Sequence, residues 1–474
     1  MKLKFLTTPY PHQLKAVKRA VKQGNHAFFF EPRCGKTKAA LDAVAVQHHR
    51  GQVQRVIVIA PLIALDVWVR EVQTHLSVSA KVMQLGERPL YHRVNGARPQ
   101  LQILLINYDK FSRRGEIYKY KNRFLNMVEK WGPDLMILDE SHRVKSAGAV
   151  RSQALWRMVH RLREKRGDKP WVYLLTGTPH PKSYLDIFSQ FRIMDDSLFG
   201  TNKLDFEDQY IIRGFGARRF SVVGYRNKPE MLTKIRAHAT IVSQTQANLK
   251  GKEFFNPLHV ELPTAARRAY NELAQELIAQ INGEIVEASN PAVKRLRLLQ
   301  ITGGFLTDHT LVHRAKVEAA HDWLTDLVQQ GEHVVVYARY LGEVEQMDEV
   351  CRKLGFHTQV IRGGVSRAAR GQAIAKFQRA TTSPHALVFQ VEAGALAIEL
   401  TNAAEVLFYS LPDSWESFYQ ATQRVQGPKQ TRPVRHSFIL AKNTVDQGVL
   451  DALRGKKDLH KELLRNPESF LFGL

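Results

Sequence analysis

The stretch from residue 28 to 41 reads Phe-Phe-Phe-Glu-Pro-Arg-Cys-Gly-Lys-Thr-Lys-Ala-Ala-Leu, and it constrains the fold most. Its aromatic start predicts a buried strand, its middle a tight turn, and its alanine-rich end a helix. A strand, a loop with Gly-Lys-Thr and a helix N-terminus form the layout of a phosphate-binding loop. In such a loop Gly35 lets the backbone approach a phosphate. Lys36 reaches the β- and γ-phosphates, and the Thr37 hydroxyl ligates Mg²⁺.

An alternative explanation of this stretch stays open at this point. The usual phosphate-binding pattern has a glycine five residues before the second glycine, where this chain has Phe30. Because Gly-Lys-Thr also occurs by chance, an ordinary turn from a strand into a helix is the competing interpretation. The order of the segments that follow decides between the two.

The charge balance of the chain indicates a polyanionic partner. Its 474 residues include 69 Lys and Arg against 45 Asp and Glu, which gives a net charge of +24. The basic clusters are spread along the chain, which suits a long nucleic-acid track better than a basic tail. No run of 18 apolar residues occurs, so no membrane span is predicted. Two cysteines, Cys34 and Cys351, and the absence of a signal-peptide core indicate a reducing cytosol.

Four further apolar runs each end in polar or turn-forming residues. They end at Pro61, at Asn107, at the pair Asp139-Glu140 and at Thr176. Short apolar strands that alternate with helices predict a parallel sheet covered on both faces. Because the chemistry of such sheets lies at the carboxyl ends of the strands, these clusters are candidates for one site.

The pair Asp139-Glu140 is the second decisive feature. Two adjacent carboxylates after a buried strand are costly unless they manage a cation or a proton. Asp139 can hold Mg²⁺ through water, while Glu140 can orient and deprotonate an attacking water. A helix cap with an acidic first turn is the ordinary alternative, but the upstream phosphate loop favours catalysis. Gln13 could pair with an adenine edge, although a plain helix-start glutamine is the simpler interpretation.

The first half of the chain resembles a known family of motors. Three segments are similar, in order, to motifs I, II and III of superfamily-two helicases: Gly35-Lys36-Thr37, Asp139-Glu140-Ser141-His142 and Thr176-Gly177-Thr178-Pro179. Gln13 is similar to the upstream glutamine motif, and Ala60-Pro61-Leu62 to motif Ia. The loop from Glu31 to Thr37 resembles that of compact Swi/Snf-type translocases found in phages. The resemblance implies an α/β fold of two RecA-like (P-loop NTPase) domains with ATP bound between them. Each domain is then a parallel sheet flanked by helices, with a short helical connector.

The second half resembles motifs IV, V and VI. The run 334–337 with Arg339 is similar to motif IV, and Gln390 with Gly394 to motif V, although Ala397 replaces a usual glycine. The run 420–430 is similar to motif VI and keeps Gln420 and Arg424. Gly427 stands where the family has a second arginine, which neutralises charge on the transferring phosphate. Either Arg424, Lys429 or Arg432 acts from a shifted position, or turnover is slow.

The resemblance implies the domain boundaries and the roles of individual residues. It places a first lobe at 1–200, a connector with small helical protrusions at 201–255 and a second lobe at 256–474. The implied catalytic residues are Lys36, Asp139, Glu140 and Arg424, with Thr37 and Asp139 as Mg²⁺ ligands. The implied ATP-binding residues are Gln13, Arg33, Cys34, Gly35, Lys36, Thr37, Lys38, Gly394, Gln420 and Arg424. The implied coupling residues are His142, Thr176, Gly177 and Thr178, and the implied DNA-binding residues are Pro61, Asn107, Arg339 and Gln390.

The function that this resemblance implies is a DNA-dependent ATPase that moves along or remodels double-stranded DNA. ATP and Mg²⁺ are the expected cofactors, and the DNA is expected to bind through its phosphates. The expected location is the cytoplasm, of a bacterial host if the chain is phage-encoded. Replication, recombination or repair proteins are expected partners. Two alternatives stay open: a strand-separating DNA or RNA helicase, and a nucleic-acid-binding protein with a weakened or inactive ATPase.

Overall fold

The computed structural model describes most of the chain, which divides near residue 250 into two compact units. Each unit is built on a sheet of its own. Across the described ranges, no helix combines the length and the apolar character that crossing a membrane requires. The described residues are 4–62, 64–84, 88–97, 100–111, 126–179, 183–215, 221–247, 251–276, 278–281, 284–287, 291–306, 310–381, 383–391, 399–427 and 430–453.

The first unit is built on an eight-stranded sheet. The described part of this unit has ten strands, of which eight form the sheet. In chain order they are β1 (His26–Phe30), β2 (Arg55–Ala60), β3 (Ala80–Gln84), β4 (Leu90–His92), β5 (Leu101–Asn107), β6 (Leu135–Asp139), β7 (Trp171–Leu175), β8 (Ile211–Arg213), β9 (Val222–Tyr225) and β10 (Ala239–Val242). The order across the sheet is β10-β1-β7-β6-β2-β5-β3-β4, and every pairing is parallel except that of β3 with β4. Strands β8 and β9 form a separate antiparallel pair.

Helices cover both faces of this sheet. They are Pro11–Gln23, Lys36–His49, Ala64–His75, 126–131, Val150–Arg166, Leu185–Met194, Lys203–Tyr210 and Lys228–His238, with short 3₁₀ turns at Tyr108–Phe111 and Ser141–Val144. Side chains of β1 alternate between two buried clusters, with Phe29 in one and Phe28 and Phe30 in the other. A strand with apolar layers on both sides has no solvent-facing position. This burial is the physical reason for the unbroken aromatic run.

Phe30 shows why the phosphate loop departs from the usual motif. It is the last residue of β1, is fully buried, and packs edge-on against Phe28 at 5.9 Å between ring centroids. The strand therefore still runs at the position where the usual motif has its first glycine. The turn is confined to residues 31–35, directly before the helix Lys36–His49.

The second unit is built on a six-stranded sheet that is parallel throughout. The strands of this unit, six of which form the sheet, are β11 (Glu253–Val260), β12 (Ile278–Ile281), β13 (Glu284–Glu287), β14 (Val334–Ala338), β15 (His357–Ile361), β16 (His385–Gln390), β17 (Glu405–Phe408) and β18 (Val434–Ala441). The sheet order is β11-β18-β17-β14-β16-β15, and β12 pairs with β13 in a separate hairpin. The helices are Thr264–Glu276, Pro291–Gly303, Ala315–Gln329, Leu341–Lys353, Arg367–Gln378, Trp415–Gln423 and 445–453.

The predicted connector at 201–255 is partly built into the first unit. Strand β10, at its C-terminal end, pairs with β1 along the edge of the eight-stranded sheet, from Ala27 opposite Ala239 to Phe30 opposite Val242. The division into two lobes and a connector at the predicted boundaries stays a prediction. The predicted α/β class, with two parallel sheets flanked by helices, is confirmed.

Candidate nucleotide-binding site

The polar clusters of the first half lie along one edge of the first sheet. Strands β1, β7, β6, β2 and β5 are consecutive neighbours and run parallel. The residues that follow them are the phosphate loop, Thr176, the pair Asp139-Glu140, Pro61 and Asn107. Since parallel strands present their carboxyl ends together, the topology brings these clusters to one edge.

The loop between β1 and the helix Lys36–His49 needs glycine for two reasons. Gly35 has φ +73°, in the left-handed region that residues with a Cβ avoid. A Cβ built on Gly35 would also lie 2.0 Å from Gln13 Nε2. Arg33, with φ +69°, is a second left-handed residue in the same turn, and such strain concentrates at functional sites.

Gln13 holds the loop by hydrogen bonds to its backbone. Gln13 Oε1 accepts from the Tyr10 amide at 2.8 Å, and Gln13 Nε2 donates to the carbonyls of Cys34 and Gly35 at 3.4 and 3.3 Å. His12 Nε2 lies 2.9 Å from the Cys34 carbonyl as well. The carboxamide thus supports the phosphate loop through its backbone, and its contact with an adenine stays a prediction.

Gly35→Ala should destabilise the protein and weaken nucleotide binding. The comparison is Gly51→Ala, because Gly51 has nearly the same φ, +72°, but no atom within 4 Å of a built Cβ. We expect Gly51→Ala to cost about 1–2 kcal/mol from φ alone, and Gly35→Ala to cost more because Gln13 must move. Thermal unfolding and titration with a fluorescent ATP analogue measure both effects. Equal losses in the two variants would show that the Gln13 contact is unimportant.

A segment that the sequence did not single out also holds this loop. The Gln244 amide donates to Glu31 Oε2 at 2.7 Å, and Gln244 Nε2 donates to the Pro32 carbonyl at 3.0 Å. Gln244 follows β10, which lies beside β1 in the sheet. The chain after β10 therefore fixes the start of the loop, and no motif in the sequence marks this role.

Lys36 and the carboxylate pair form the charged centre of the site. Lys36 Nζ lies 3.7 Å from Glu140 Oε1. Burial by itself lowers the pKa of Lys36, but the Glu140 and Asp139 carboxylates outweigh it and raise the pKa above its usual value. Burial, reinforced by the Glu140 charge, raises the pKa of Asp139, while Lys36 opposes that shift. The site thus holds one cation beside two carboxylates, a charge pattern that a Mg²⁺–phosphate group can enter.

The Asp139 carboxylate is held by donors on both oxygens. Trp68 Nε1 donates to Asp139 Oδ2 at 2.9 Å, and the Glu140 amide donates to Oδ1 at 3.0 Å. The Tyr108 hydroxyl donates to the Asp139 carbonyl at 2.8 Å. Trp68 and Tyr108 are both buried. No local sequence pattern marks either residue as a partner of Asp139, which lies 71 and 31 positions further along the chain.

Three of the four predicted coupling residues, His142, Thr176 and Thr178, are connected by hydrogen bonds. His142 Nδ1 lies 3.3 Å from Glu140 Oε2 and 3.0 Å from Thr176 Oγ1. The Thr178 amide donates to Thr176 Oγ1 at 3.1 Å. A Cβ on Gly177 would lie 3.0 Å from Pro32 Cδ, so this turn packs directly against the phosphate loop. The structure therefore joins the carboxylate pair to the turn after β7.

Lys38 forms a buried ion pair in the first unit, and Cys34 is buried there as well. Lys38 Nζ pairs with Asp42 Oδ2 at 2.5 Å, and both side chains are buried. Burial raises the pKa of Asp42 to about 6, against the opposing effect of Lys38. Burial also raises the pKa of Cys34 to about 12, so the thiol stays protonated. Contacts of Lys38 and Cys34 with ATP stay predictions.

Two predicted DNA-binding residues of the second unit lie side by side. Arg339 follows β14 and Gln390 ends β16, and these strands are neighbours. Gln390 Nε2 donates to the Arg339 carbonyl at 3.4 Å, and the Gly363 amide donates to Gln390 Oε1 at 2.9 Å. The Arg339 guanidinium contacts Asp413. This is the carboxyl edge of the second sheet, the counterpart of the edge that holds the phosphate loop in the first.

The Arg424 guanidinium packs against two aromatic rings of the second sheet. Its guanidinium carbon lies 4.8 Å from the ring centre of Phe389 and 5.9 Å from that of Tyr337, and Arg424 is 5% exposed. Gln420 lies half-buried on the helix Trp415–Gln423. Gly394, Ala397 and Lys429 lie outside the described residues. The roles of Arg424 and Gln420 toward ATP stay predictions.

The position of the missing arginine has a backbone that favours glycine. Gly427 has φ +145°, which a residue with a Cβ adopts only with strain. Arg432 binds Glu332 through two contacts of 2.8 Å. These two residues precede β18 and β14, so their pair lies at the amino edge of the second sheet. Arg432 is thus occupied away from the carboxyl edge, which favours Arg424 among the described arginines.

Two family models match the chain that carries this site. A model of the SNF2-related domain matches residues 12–301, more than half of the chain. The chain belongs to the SNF2-related family. A model of the helicase conserved C-terminal domain matches residues 315–426. The two matches together include all the residues that the sequence assigned to ATP and DNA.

Individual relatives match most of this chain at low identity. Protein p41 of Acyrthosiphon pisum secondary endosymbiont phage 1 is 24% identical, over 97% of this chain and 98% of that protein. The ISWI chromatin-remodeling complex ATPase ISW1 of Saccharomyces cerevisiae is 21% identical, over 88% of this chain and 36% of its own length. This chain thus spans about a third of the larger relative. A solved structure, the Sulfolobus solfataricus SWI2/SNF2 ATPase core in complex with dsDNA, is 16% identical with a TM-score of 0.44, over 98% of this chain and 95% of that one.

Membership in the SNF2-related family confirms three of the predictions. The Swi/Snf-type, superfamily-two identity is confirmed, and so is the class of enzyme, a helicase-type ATPase that uses a nucleotide. The matches also support the predicted activity, an ATP-dependent DNA translocase of the Swi/Snf type.

Proposed function

We propose that this SNF2-related protein hydrolyses ATP at the carboxyl edge of its first sheet in order to move along double-stranded DNA. The observation that carries the proposal is the contact chain from Lys36 through Glu140 and His142 to Thr176. These ion-pair and hydrogen-bond contacts connect the proposed phosphate-binding lysine, the proposed base and the turn after β7. A set with these chemical types in contact is suited to phosphoryl transfer and to reporting its progress to the rest of the lobe.

Thr37 and Asp139 have the donor chemistry that a Mg²⁺ ion requires. Mg²⁺ is bound by one or two carboxylates together with water and phosphate oxygens. Lys36, next to Thr37, lies against Glu140, next to Asp139, so hydroxyl and carboxylate belong to the same edge. Each Asp139 oxygen has one donor, and a carboxylate oxygen keeps a further lone pair that can accept from a hydrated ion. When bound, Mg²⁺ would neutralise charge on the phosphates.

Glu140 is proposed as the base that receives the proton of the attacking water. Its φ of +50° places it in a strained left-handed conformation directly after β6. Lys36 Nζ lies 3.7 Å from its Oε1, and His142 Nδ1 lies 3.3 Å from its Oε2. A carboxylate fixed in this way can orient a water and accept its proton without reorganising.

Duplex DNA is the proposed substrate track. The net charge of +24 supplies the phosphate-binding potential. The proposed contacts are Pro61 and Asn107 on the first unit and Arg339 and Gln390 on the second, all at carboxyl ends of parallel strands. Binding dominated by phosphates should weaken steeply with salt and depend little on sequence. By analogy with the phage relative we also propose a bacterial host's cytoplasm as the location, and replication or repair proteins as partners.

Duplex DNA should raise the ATPase rate of the wild-type protein, and Lys36→Ala should abolish turnover at every DNA concentration. Lys36 lies beside Glu140 and is the proposed phosphate-binding cation, so its loss removes both binding and charge stabilisation. Steady-state phosphate release with and without duplex measures this. Lys145→Ala, a lysine at the end of the 3₁₀ turn that follows Glu140, is the matched control and should stay DNA-stimulated.

Two results would contradict the proposal. Equal ATPase rates with and without DNA would exclude a DNA-dependent motor. Nucleotide binding without multiple turnovers would establish a weakened ATPase. Displacement of a triplex-forming strand without opening of a fork distinguishes translocation on duplex from strand separation.

A further inference from the structure

Trp68 connects two parts of the proposed site that are distant in sequence. It lies on the helix Ala64–His75, which starts three residues after Pro61. Its indole is 1% exposed, and its Nε1 donates to Asp139 Oδ2, 71 residues further along the chain. The helix that follows a proposed DNA contact is thereby bonded to the proposed Mg²⁺ carboxylate.

The chemistry of this bond distinguishes it from ordinary packing of a buried tryptophan. A buried indole needs some acceptor, and a backbone carbonyl would satisfy it. Here the acceptor is a buried carboxylate, and hydrogen bonds to charged groups are shorter and stronger than neutral ones. The Glu140 amide holds the other oxygen. Together the two donors fix the plane of the carboxylate.

We propose that Trp68 is a positioning residue that orients Asp139 for Mg²⁺ and transmits DNA binding at Pro61 to that carboxylate. Displacement of the helix moves the indole N–H, and the carboxylate must follow it or lose a charge-assisted bond. Outer-sphere donors of this kind set the orientation and basicity of metal ligands. The inference rests on the proposed function, because it assumes that Asp139 is the metal carboxylate.

Trp68→Phe removes the N–H and keeps an aromatic ring in the core. We expect the Mg²⁺ concentration for half-maximal binding of a non-hydrolysable ATP analogue to rise about 10–100-fold. Nucleotide binding without Mg²⁺ should be unchanged. The matched control is Trp156→Phe, because Trp156 Nε1 also donates to a carboxylate, Asp196 Oδ2 at 3.1 Å, within the same unit. That variant should bind Mg²⁺ and nucleotide as the wild type does.

A second measurement follows the Trp68 indole in the unmodified protein, where the side chain and its bond to Asp139 are intact. The chain has six tryptophans, so ¹H–¹⁵N spectra of the indoles are simple, and Trp68→Phe assigns one resonance. We expect the Trp68 indole resonance to shift when Mg²⁺ is added to the nucleotide-bound protein. It should shift again when duplex DNA is added, while the Trp156 resonance stays in place.

Three outcomes would overturn the proposal in whole or in part. An unchanged Mg²⁺ requirement in Trp68→Phe, or a Trp68 resonance that ignores Mg²⁺, removes the positioning role. A resonance that responds to Mg²⁺ but not to DNA removes the transmission. Failure of the proposed function has a different signature, since the wild type would then lack DNA-stimulated turnover or Mg²⁺-dependent nucleotide binding altogether.

Discussion

Glu140→Gln is expected to lower the rate of ATP turnover by about 10²–10⁴-fold, the usual contribution of a general base. Glutamine keeps the shape and the hydrogen-bonding reach of the side chain but cannot accept the proton of the attacking water. Lys36 loses the carboxylate that lies 3.7 Å from its Nζ, yet its positive charge remains for the phosphates. Affinity for ATP should therefore change little while kcat falls.

Steady-state turnover and binding of a fluorescent ATP analogue separate the two effects. Glu207→Gln is the control, because Glu207, on the helix Lys203–Tyr210, is another paired glutamate of the same unit, bound to Lys203 and Arg213. Its turnover should match the wild type. A folded Glu140→Gln protein that retains more than a third of the wild-type rate would exclude Glu140 as the base.

Arg424→Ala should reduce turnover by about 10³-fold or more, in the range that an arginine finger contributes. The reason is the absence of the second motif VI arginine: Gly427 occupies that position with φ +145°. Among the described arginines near it, Arg432 is bound to Glu332. Within the described part of the run 420–430, Arg424 is the remaining cation, and its guanidinium lies over the ring of Phe389.

A matched pair of variants tests this assignment. Arg432→Ala removes an equal charge eight residues away and should leave kcat close to the wild-type value. Because Arg424 is buried, thermal unfolding must confirm the fold of the alanine variant, and Arg424→Lys retains the charge without the flat guanidinium. A folded Arg424→Ala protein with wild-type turnover would mean that another residue, such as Lys429, supplies the charge.

The fold class and the edge that carries the site were predictable because both depend on short-range patterns. Apolar runs of strand length that alternate with helices specify parallel sheets, and parallel strands present their carboxyl ends together. The clusters at Thr176, Asp139-Glu140 and Pro61 could therefore be assigned to one edge before their order in the sheet was known. The resemblance to motifs I to VI added the family, which the matches at 12–301 and 315–426 confirm.

The supports of the site were not predictable, because they join residues far apart in the chain. Gln244 reaches Glu31 across 213 positions, and Trp68 reaches Asp139 across 71. The adenine contact of Gln13 stays a prediction, and the structure adds that its carboxamide binds the backbone of the phosphate loop. A glutamine or tryptophan carries the same local signal in either role, so only its packed neighbours reveal which partner it has.

The sequence by itself determined the chemical groups and the local elements that present them: the phosphate loop, the carboxylate pair and the two parallel sheets. Strand periodicity and motif spacing act over a few residues, and the printed chain contains them in full. The tertiary structure decided which donors orient Asp139 and which side chains hold the loop. It also decided that the backbone at Gly427 favours glycine. Hydrogen bonds act only over about 3 Å, so they are fixed by the packing of elements and not by their order.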